Sequence, residues 1–230
     1  QNILDSLLSG LTMAMSVLPE EIPVAFTTFM ALGAWKLMRE GIIIKRSSVV
    51  ETLGSTTVIC TDKTGTITEN SMQLQALYDF KTDQIYQEQD FKLPEISSLI
   101  AYAMWSSEPV PFDPMEKTLH RIYQETHPKD ERTNFQMIHE YPLDGKPPMM
   151  THLFENPSGE RIIAAKGAPE AILEVSNLPE NQKTMLREKI LEFGKKGWRV
   201  LGVAKAQFDG NDFPEKQQDF NFEFLGFTVF

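Results

Sequence analysis

The sequence predicts an α/β chain in three parts: a broken apolar helix, the opening segment of a Rossmann-type domain, and an α+β domain inserted after that domain's first strand. Three observations carry this. An aspartate, Asp62, stands just beyond the β-branched run Thr56-Thr57-Val58-Ile59 and is followed by a loop of lysine, glycine and threonines. The stretch 3–37 is strongly apolar but interrupted by Pro19-Glu20-Glu21-Ile22-Pro23. From 71 to about 219 the pattern becomes short β-rich runs mixed with helical segments that open on proline.

The chain has 230 residues, 41% hydrophobic and 23% charged, enough for one or two domains with a real core. A net charge of −10 argues against a general nucleic-acid binder, which needs a basic surface. The single cysteine, Cys60, excludes an internal disulfide framework and a Cys-rich metal site, and its place in the run before Asp62 reads as a buried, inert thiol. No basic segment leads into a short apolar core and cleavage site, so no signal peptide is expected. There is no fixed-period repeat.

Taken in order, no charged residue lies between Ser6 and Pro19, or between Ile22 and Trp35, and Lys36, Arg39, Lys45 and Arg46 then cluster. A spanning helix needs ~20 apolar residues, and basic residues collect on the cytoplasmic side, so 1–40 reads as a transmembrane helix and the chain after about residue 40 as cytoplasmic. Two prolines break the helical hydrogen-bond ladder, and a broken helix that carries carboxylates can bind a cation within a bilayer. The alternative for this segment is two amphipathic helices of a soluble bundle joined by an acidic loop. Residues 41–46 read as a short strand, 47–53 as a helical turn or two, and 56–59 as a buried strand. Asp62 then stands at the carboxyl end of that strand, where ligands sit in open α/β sheets. The loop beyond offers N–H groups, hydroxyls and the Lys63 cation to a phosphate. A carboxylate so placed can attack phosphorus.

In the inserted region, strands are expected at 74–78, 135–141, 149–154, 161–165 and 199–206, with Asn156-Pro157-Ser158-Gly159 as a hairpin loop. Helices are expected at 94–106, 114–125, 169–175 and 179–195, each opening on a proline. Asp113 is a natural N-cap, and Glu116 three residues on fits a capping box. The apolar run 222–230 reads as the chain returning to the first domain. The expected partition is 1–40, 41–70, 71–219 and 220–230.

The run Asp62-Lys63-Thr64-Gly65-Thr66-Ile67-Thr68 resembles the phosphorylation signature of the P-type ATPases, ion pumps that cycle through an aspartyl-phosphate. The resemblance implies that 41–70 opens a haloacid-dehalogenase-like phosphorylation domain and that 71–219 is an inserted nucleotide-binding domain. Pro19-Glu20-Glu21-Ile22-Pro23 resembles the break in the fourth transmembrane helix of type II pumps, which include the calcium pumps. Glu20 matches their cation ligand. Glu21 departs from the usual glycine and is a further ligand, a gate or a solvated neighbour. Heavy-metal pumps carry a Cys-Pro pair there, which this chain lacks. Hard oxygen ligands suit Ca²⁺, Mg²⁺ or Mn²⁺ more than soft metals, and the resemblance to calcium pumps implies Ca²⁺ first.

Four pieces resemble the family's ATP pocket. In Lys166-Gly167-Ala168-Pro169-Glu170, the lysine matches one at the adenine end and the glycine allows close backbone approach. The same residues also make an ordinary strand-to-helix turn. Glu116, in Phe112-Asp113-Pro114-Met115-Glu116-Lys117, matches a contact to the adenine amino group, with the capping box as the alternative. In Glu140-Tyr141-Pro142-Leu143-Asp144-Gly145-Lys146, Tyr141 keeps a ring that stacks on adenine, or it is a core residue. Leu143 replaces the family's arginine, and Lys146 is a looser match. In Gly197-Trp198-Arg199-Val200-Leu201, Arg199 matches an arginine that reaches the phosphates, or it is a surface charge.

The implied reaction is phosphoryl transfer from ATP to Asp62 with Mg²⁺, in which Asp62 is nucleophile and metal ligand. Thr64 would offer its backbone oxygen to the metal, and Lys63 would either neutralise charge near the phosphate or serve a structural role. Haloacid-dehalogenase phosphatases carry an acid/base aspartate where Thr64 stands, which argues against a plain phosphatase. No Gly-Asp-Gly-x-x-Asn-Asp segment and no Thr-Gly-Glu actuator loop occur in this sequence. This polypeptide alone is therefore expected neither to pump nor to turn over ATP, and to need further transmembrane helices and an actuator domain in a lipid bilayer. The rival readings are a nucleotide-binding module without catalysis and a phosphatase with a cap domain.

Overall fold

The computed structural model describes residues 3–17, 19, 21–46, 48–145, 148–210 and 212–230. Glu20 and Lys146, both expected at functional sites, lie outside the described residues. The chain divides into two compact units, Gln1–Lys63 and Thr64–Phe230.

Among its described residues the first unit holds three helices: α1 (Ile3–Val17), α2 (Glu21–Arg39) and α3 (Ser48–Gly54). The expected interruption is present, because Pro19 is non-helical and α2 opens with the Ile22 N–H bonded to the Pro19 carbonyl at 3.2 Å. Gly33 lets α3 approach α2, since a Cβ there would stand 2.8 Å from Cγ1 of Val50. Among the described residues no helix is long and apolar enough to cross a membrane, so the expected transmembrane helix is not shown. The break leaves α1 with only 15 residues, about 22 Å of helix, and α2 carries Glu21, Lys36 and Arg39 at its ends. Most large apolar side chains of both helices are exposed, with Leu4 at 71% and Phe29 at 69%.

Two expected strands are absent. Residues 42–46 and 56–59 have no strand conformation, and Val58 and Ile59 are 74% and 83% exposed. Cys60 is likewise exposed rather than buried. A strand of a doubly wound sheet exists only between neighbours that take its backbone hydrogen bonds. No strand of the first unit supplies them among the described residues. The phosphorylation half of the expected α/β fold is therefore not seen as a sheet.

The second unit is a seven-stranded antiparallel sheet in the order β2-β1-β7-β6-β5-β4-β3. Its strands are β1 (Ala76–Asp79), β2 (Gln84–Tyr86), β3 (Gln136–Asp144), β4 (Met149–Glu155), β5 (Arg161–Gly167), β6 (Val200–Ala206) and β7 (Phe222–Val229). The four proline-opened helices are present. They are α4 (Ser97–Trp105, entered through a 3₁₀ turn at Pro94–Ile96), α5 (Pro114–Thr126), α6 (Pro169–Val175) and α7 (Glu180–Lys195). Asn156 builds the β4–β5 hairpin, its Oδ1 accepting from the N–H groups of Ser158 (3.0 Å) and Glu160 (2.9 Å).

Both faces of the sheet are covered. On one, Leu77, Phe154, Ala164 and Val203 pack with Leu99, Ile100 and Trp105 of α4 and Leu119 and Ile122 of α5. On the other, Tyr78, Leu153, Ile163 and Phe227 pack with Ile172 of α6 and Leu186 and Phe193 of α7. The run 222–230 does not leave this unit: β7 is an inner strand paired with β1 and β6. Its aromatic residues explain why, since Phe222, Phe224 and Phe227 are at most 3% exposed and only a sheet interior buries them.

β7 also supplies a sharp steric test. A Cβ on Gly226 would stand 2.0 Å from the Tyr78 carbonyl oxygen of β1. Gly226→Ala should therefore destabilise the second unit by at least about 3 kcal/mol, read from the urea midpoint.

Candidate functional site

The first charge pair to fix is that of α5 and β5. Asp113 caps α5 as expected, its Oδ1 accepting the Met115 N–H at 2.8 Å. The cap sets the start of the helix and puts Glu116 in its first turn. Glu116 does not turn back to complete a capping box. It reaches the sheet and holds Lys166, with Nζ and Oε1 2.6 Å apart. Lys166 also donates to Oγ of Ser107, at 2.6 Å, in the loop after α4. Lys166 and Glu116 are 6% and 7% exposed, and Ser107 is 1% exposed. Burial pushes the Lys166 ammonium below its ordinary pKa, and the Glu116 carboxylate opposes that shift. Glu116 Oε2 has no hydrogen-bond partner among the described residues.

Strand register decides what else shares this face. Lys166 is paired with Met150 and Val203, and Ala164 with His152. His152 is in turn paired with Glu140. Side chains alternate along a strand, so Lys166, His152 and Glu140 stand on the face that α4 and α5 cover. Leu201 and Val203 of β6 share it, and the same alternation carries exposed Arg199 onto it. The Arg199 N–H and carbonyl are both bonded to Phe230 at 2.8 Å. A cleft of about 360 Å³ opens beside Ser107, walled by Trp105, Phe135 and Phe154 with His120 and Arg132.

Of the expected pocket residues, the structure thus brings Glu116 and Lys166 into contact and places Arg199 on their side of the sheet. Tyr141 is not brought to them. It lies on the opposite face with Leu153 and Ile163, its ring edge-on to Phe220 and its hydroxyl donating to the Pro214 carbonyl. Register shifts on either side of it in β3 leave it paired with Thr151. Gly167 is required for close approach, but the approach is that of β4's own chain: a Cβ would stand 2.5 Å from the Pro148 carbonyl oxygen and from Cα of Met149. Asp62 and Lys63 belong to the first unit and are exposed, the Asp62 Oδ1 accepting the Lys63 N–H at 2.7 Å. Thr64 is an exposed turn residue of the second unit, and Glu21 is the exposed first residue of α2. Ser107 and His152 were not anticipated. No sequence motif marks either, and only the β3–β4 register could have pointed to His152.

A family model described as "P-type ATPase, cytoplasmic domain N" matches residues 110–227. The chain belongs to the P-type ATPase family. The matched span runs from just before α5 to β7 and includes Glu116, Lys166 and Arg199. "Plasma membrane ATPase 1" of Saccharomyces cerevisiae is 30% identical over 198 residues, covering 84% of this chain and 21% of the relative. "Plasma membrane ATPase" of Kluyveromyces lactis is 30% identical over 207 residues, covering 87% and 22%. "Probable cation-transporting P-type ATPase" of Mycoplasma genitalium is 30% identical over 230 residues, covering 97% and 25%. This P-type ATPase chain spans between a fifth and a quarter of the length of those relatives.

Two outcomes are expected from these surroundings. Lys166→Met leaves the Glu116 carboxylate buried without a partner and should cost about 3–5 kcal/mol, whereas Lys166→Met with Glu116→Leu should cost clearly less, both read from urea unfolding. The second concerns pH. Burial holds the imidazoles of His120, His127 and His152 below their ordinary pKa. The unfolded chain then takes up protons first, below about pH 6.5. The stability these groups contribute is present above that pH and lost as pH falls through their depressed folded values. Glu108, raised by burial, acts in the opposite sense. The urea midpoint should be lower at about pH 5.5 than at about pH 7.5.

Proposed function

We propose that this chain is the central portion of a cation-transporting P-type ATPase and that its second unit binds ATP on the α4/α5 face of the sheet. The observation that carries this is the buried Glu116–Lys166 pair with Glu116 Oε2 unpartnered. A buried carboxylate oxygen without a donor is costly, and the amino group of adenine is a donor of the right kind. Arg199, on the same face and exposed, is the cation for the phosphates. Tyr141, facing the other core, takes no part in this version of the pocket.

The remaining steps rest on the resemblance of the Asp62 motif. Asp62 is the phosphoryl acceptor and forms an aspartyl-phosphate, with Lys63 as a neighbouring cation. A carboxylate and a backbone carbonyl are hard oxygen donors suited to Mg²⁺, which fits the Asp62 side chain and the Thr64 main chain. Bound there, Mg²⁺ supplies charge neutralisation for phosphoryl transfer.

The segment 1–40 is proposed to lie in a lipid bilayer beside further helices of the complete ATPase, with the chain after about residue 40 on the cytoplasmic side. Most of its large apolar side chains are exposed, and its helix hydroxyls are turned onto their own backbone. Thr12 donates to Leu8 and Thr28 to Val24, both at 2.8 Å. Such bonds withdraw polar groups from an apolar surrounding. Glu20 at the break, with Glu21 as a candidate second, is the proposed ligand of a transported cation; hard oxygen donors suit Ca²⁺, Mg²⁺ or Mn²⁺, and the resemblance to calcium pumps puts Ca²⁺ first. An actuator domain elsewhere in the ATPase completes the cycle.

The test is calorimetric titration of ATP into the 230-residue chain, which keeps β7. Saturable binding is expected. Arg199→Ala, at an exposed position, should weaken it about tenfold, the worth of one charge-assisted hydrogen bond. Absence of binding by a chain with intact circular dichroism would overturn the nucleotide reading.

A further inference from the structure

Three side chains with metal-ligand chemistry meet on the same face, one position further along the sheet from the ion pair. Glu140 and His152 are directly opposed in the β3–β4 ladder. Glu108 comes to them from the loop after α4. One carboxylate oxygen of each glutamate and a ring nitrogen of His152 lie within 4.8 Å of one another.

Clustered carboxylates are common on protein surfaces, and the histidine is what distinguishes this group. His152 is 0% exposed. Its Nδ1 is 3.1 Å from the carbonyl oxygen of Ser107. A carbonyl only accepts, so Nδ1 carries the ring proton. Nε2 is then a bare lone pair, buried and without a hydrogen-bond partner. This is how metal-ligating histidines are arranged: one nitrogen donates to a backbone carbonyl, which fixes the tautomer and aims the other nitrogen at the ion.

We propose that Nε2 of His152 and the carboxylates of Glu108 and Glu140 form a three-ligand site for a borderline divalent ion of the Zn²⁺ type. One imidazole and two carboxylates are a mixed nitrogen and oxygen set that Zn²⁺ takes, leaving a fourth position open. Mg²⁺ and Ca²⁺ prefer oxygen ligands throughout. Zn²⁺ bonds of about 2.0–2.2 Å place donor atoms roughly 3.3 Å apart in a tetrahedron, so the group closes by about 1–1.5 Å on binding. His152 is held in the sheet, and the half-buried loop residue Glu108 and the exposed Glu140 supply that movement. Glu116 is committed to Lys166, so the two free carboxylates offset the charge of the ion. The proposal does not depend on ATP.

The test is calorimetric titration of Zn²⁺ into the chelator-treated 230-residue chain carrying Cys60→Ser, which removes the exposed thiol as a competing ligand. One saturable Zn²⁺ site is expected, undisturbed by millimolar-range Mg²⁺. Glu140→Gln and Glu108→Gln should each weaken it at least about tenfold while leaving the circular dichroism unchanged. His152→Asn should abolish it, but it alters the core, so the two glutamine variants carry the decision. Absence of saturable Zn²⁺ binding by the folded chain, or binding that both glutamine variants leave intact, would overturn the site.

Discussion

One buried charge organises the working face of the second unit. The Lys166 side chain is buried on β5, an inner strand of the seven-stranded sheet. An isolated ammonium there would be expelled or neutralised. It stays because Glu116 and Ser107 both reach it at 2.6 Å. That requirement fixes two pieces of chain against β5: the first turn of α5 and the loop leaving α4. It also explains why the Asp113 cap matters beyond local helix stability. Moving the start of α5 by one residue would swing Glu116 about 100° around the helix and leave Lys166 unpaired.

The same constraint separates the two faces of the sheet. The face under α6 and α7 is an aromatic and aliphatic core, with Tyr78 stacked on Phe227 and Phe224 edge-on to Phe227. The face under α4 and α5 mixes a core of its own with Lys166, His152 and Glu116. β7 makes the division durable, because as an inner strand it sends Phe222 and Phe227 into the apolar side while Thr228 turns to the other. Both faces therefore bury an apolar core, and only the α4/α5 face adds buried charge to it.

Local signals in the sequence carried a long way. Asp113 as a cap, Asn156 as a hairpin residue and the prolines that open α4 to α7 act within a few residues, and all appear as read. What was illegible depended on distant partners. The β-branched run before Asp62 has the composition of a strand, but composition does not provide the neighbours a strand needs. For Tyr141 the sequence leaves open a ring on adenine or a core residue, and register, where a shift of one residue reverses the face, places it in the core. The irregularities flanking Tyr141 in β3 are of that kind. Ser107 and His152 gave no signal because each matters only through what the folded sheet places beside it. The short strand β2 was missed because its alternation covers only Gln84–Tyr86.

Buried polar atoms without partners are few in folded proteins, and each one calls for a reason. Among the described residues they are Oε2 of Glu116, Nε2 of His120, Nε2 of His152 and Oγ1 of Thr228. Glu116 and His120 are on α5, His152 is on the Lys166 side of β4, and Thr228 pairs with Leu77 and Leu201, which pack on that side. All four therefore fall on the α4/α5 side of the sheet. Folding alone would scatter such costs or remove them by substitution, since an apolar side chain of similar size satisfies a core better than a half-bonded polar one. Their collection on one face, beside the buried Glu116–Lys166 pair, supports the proposal that this face takes a polar ligand.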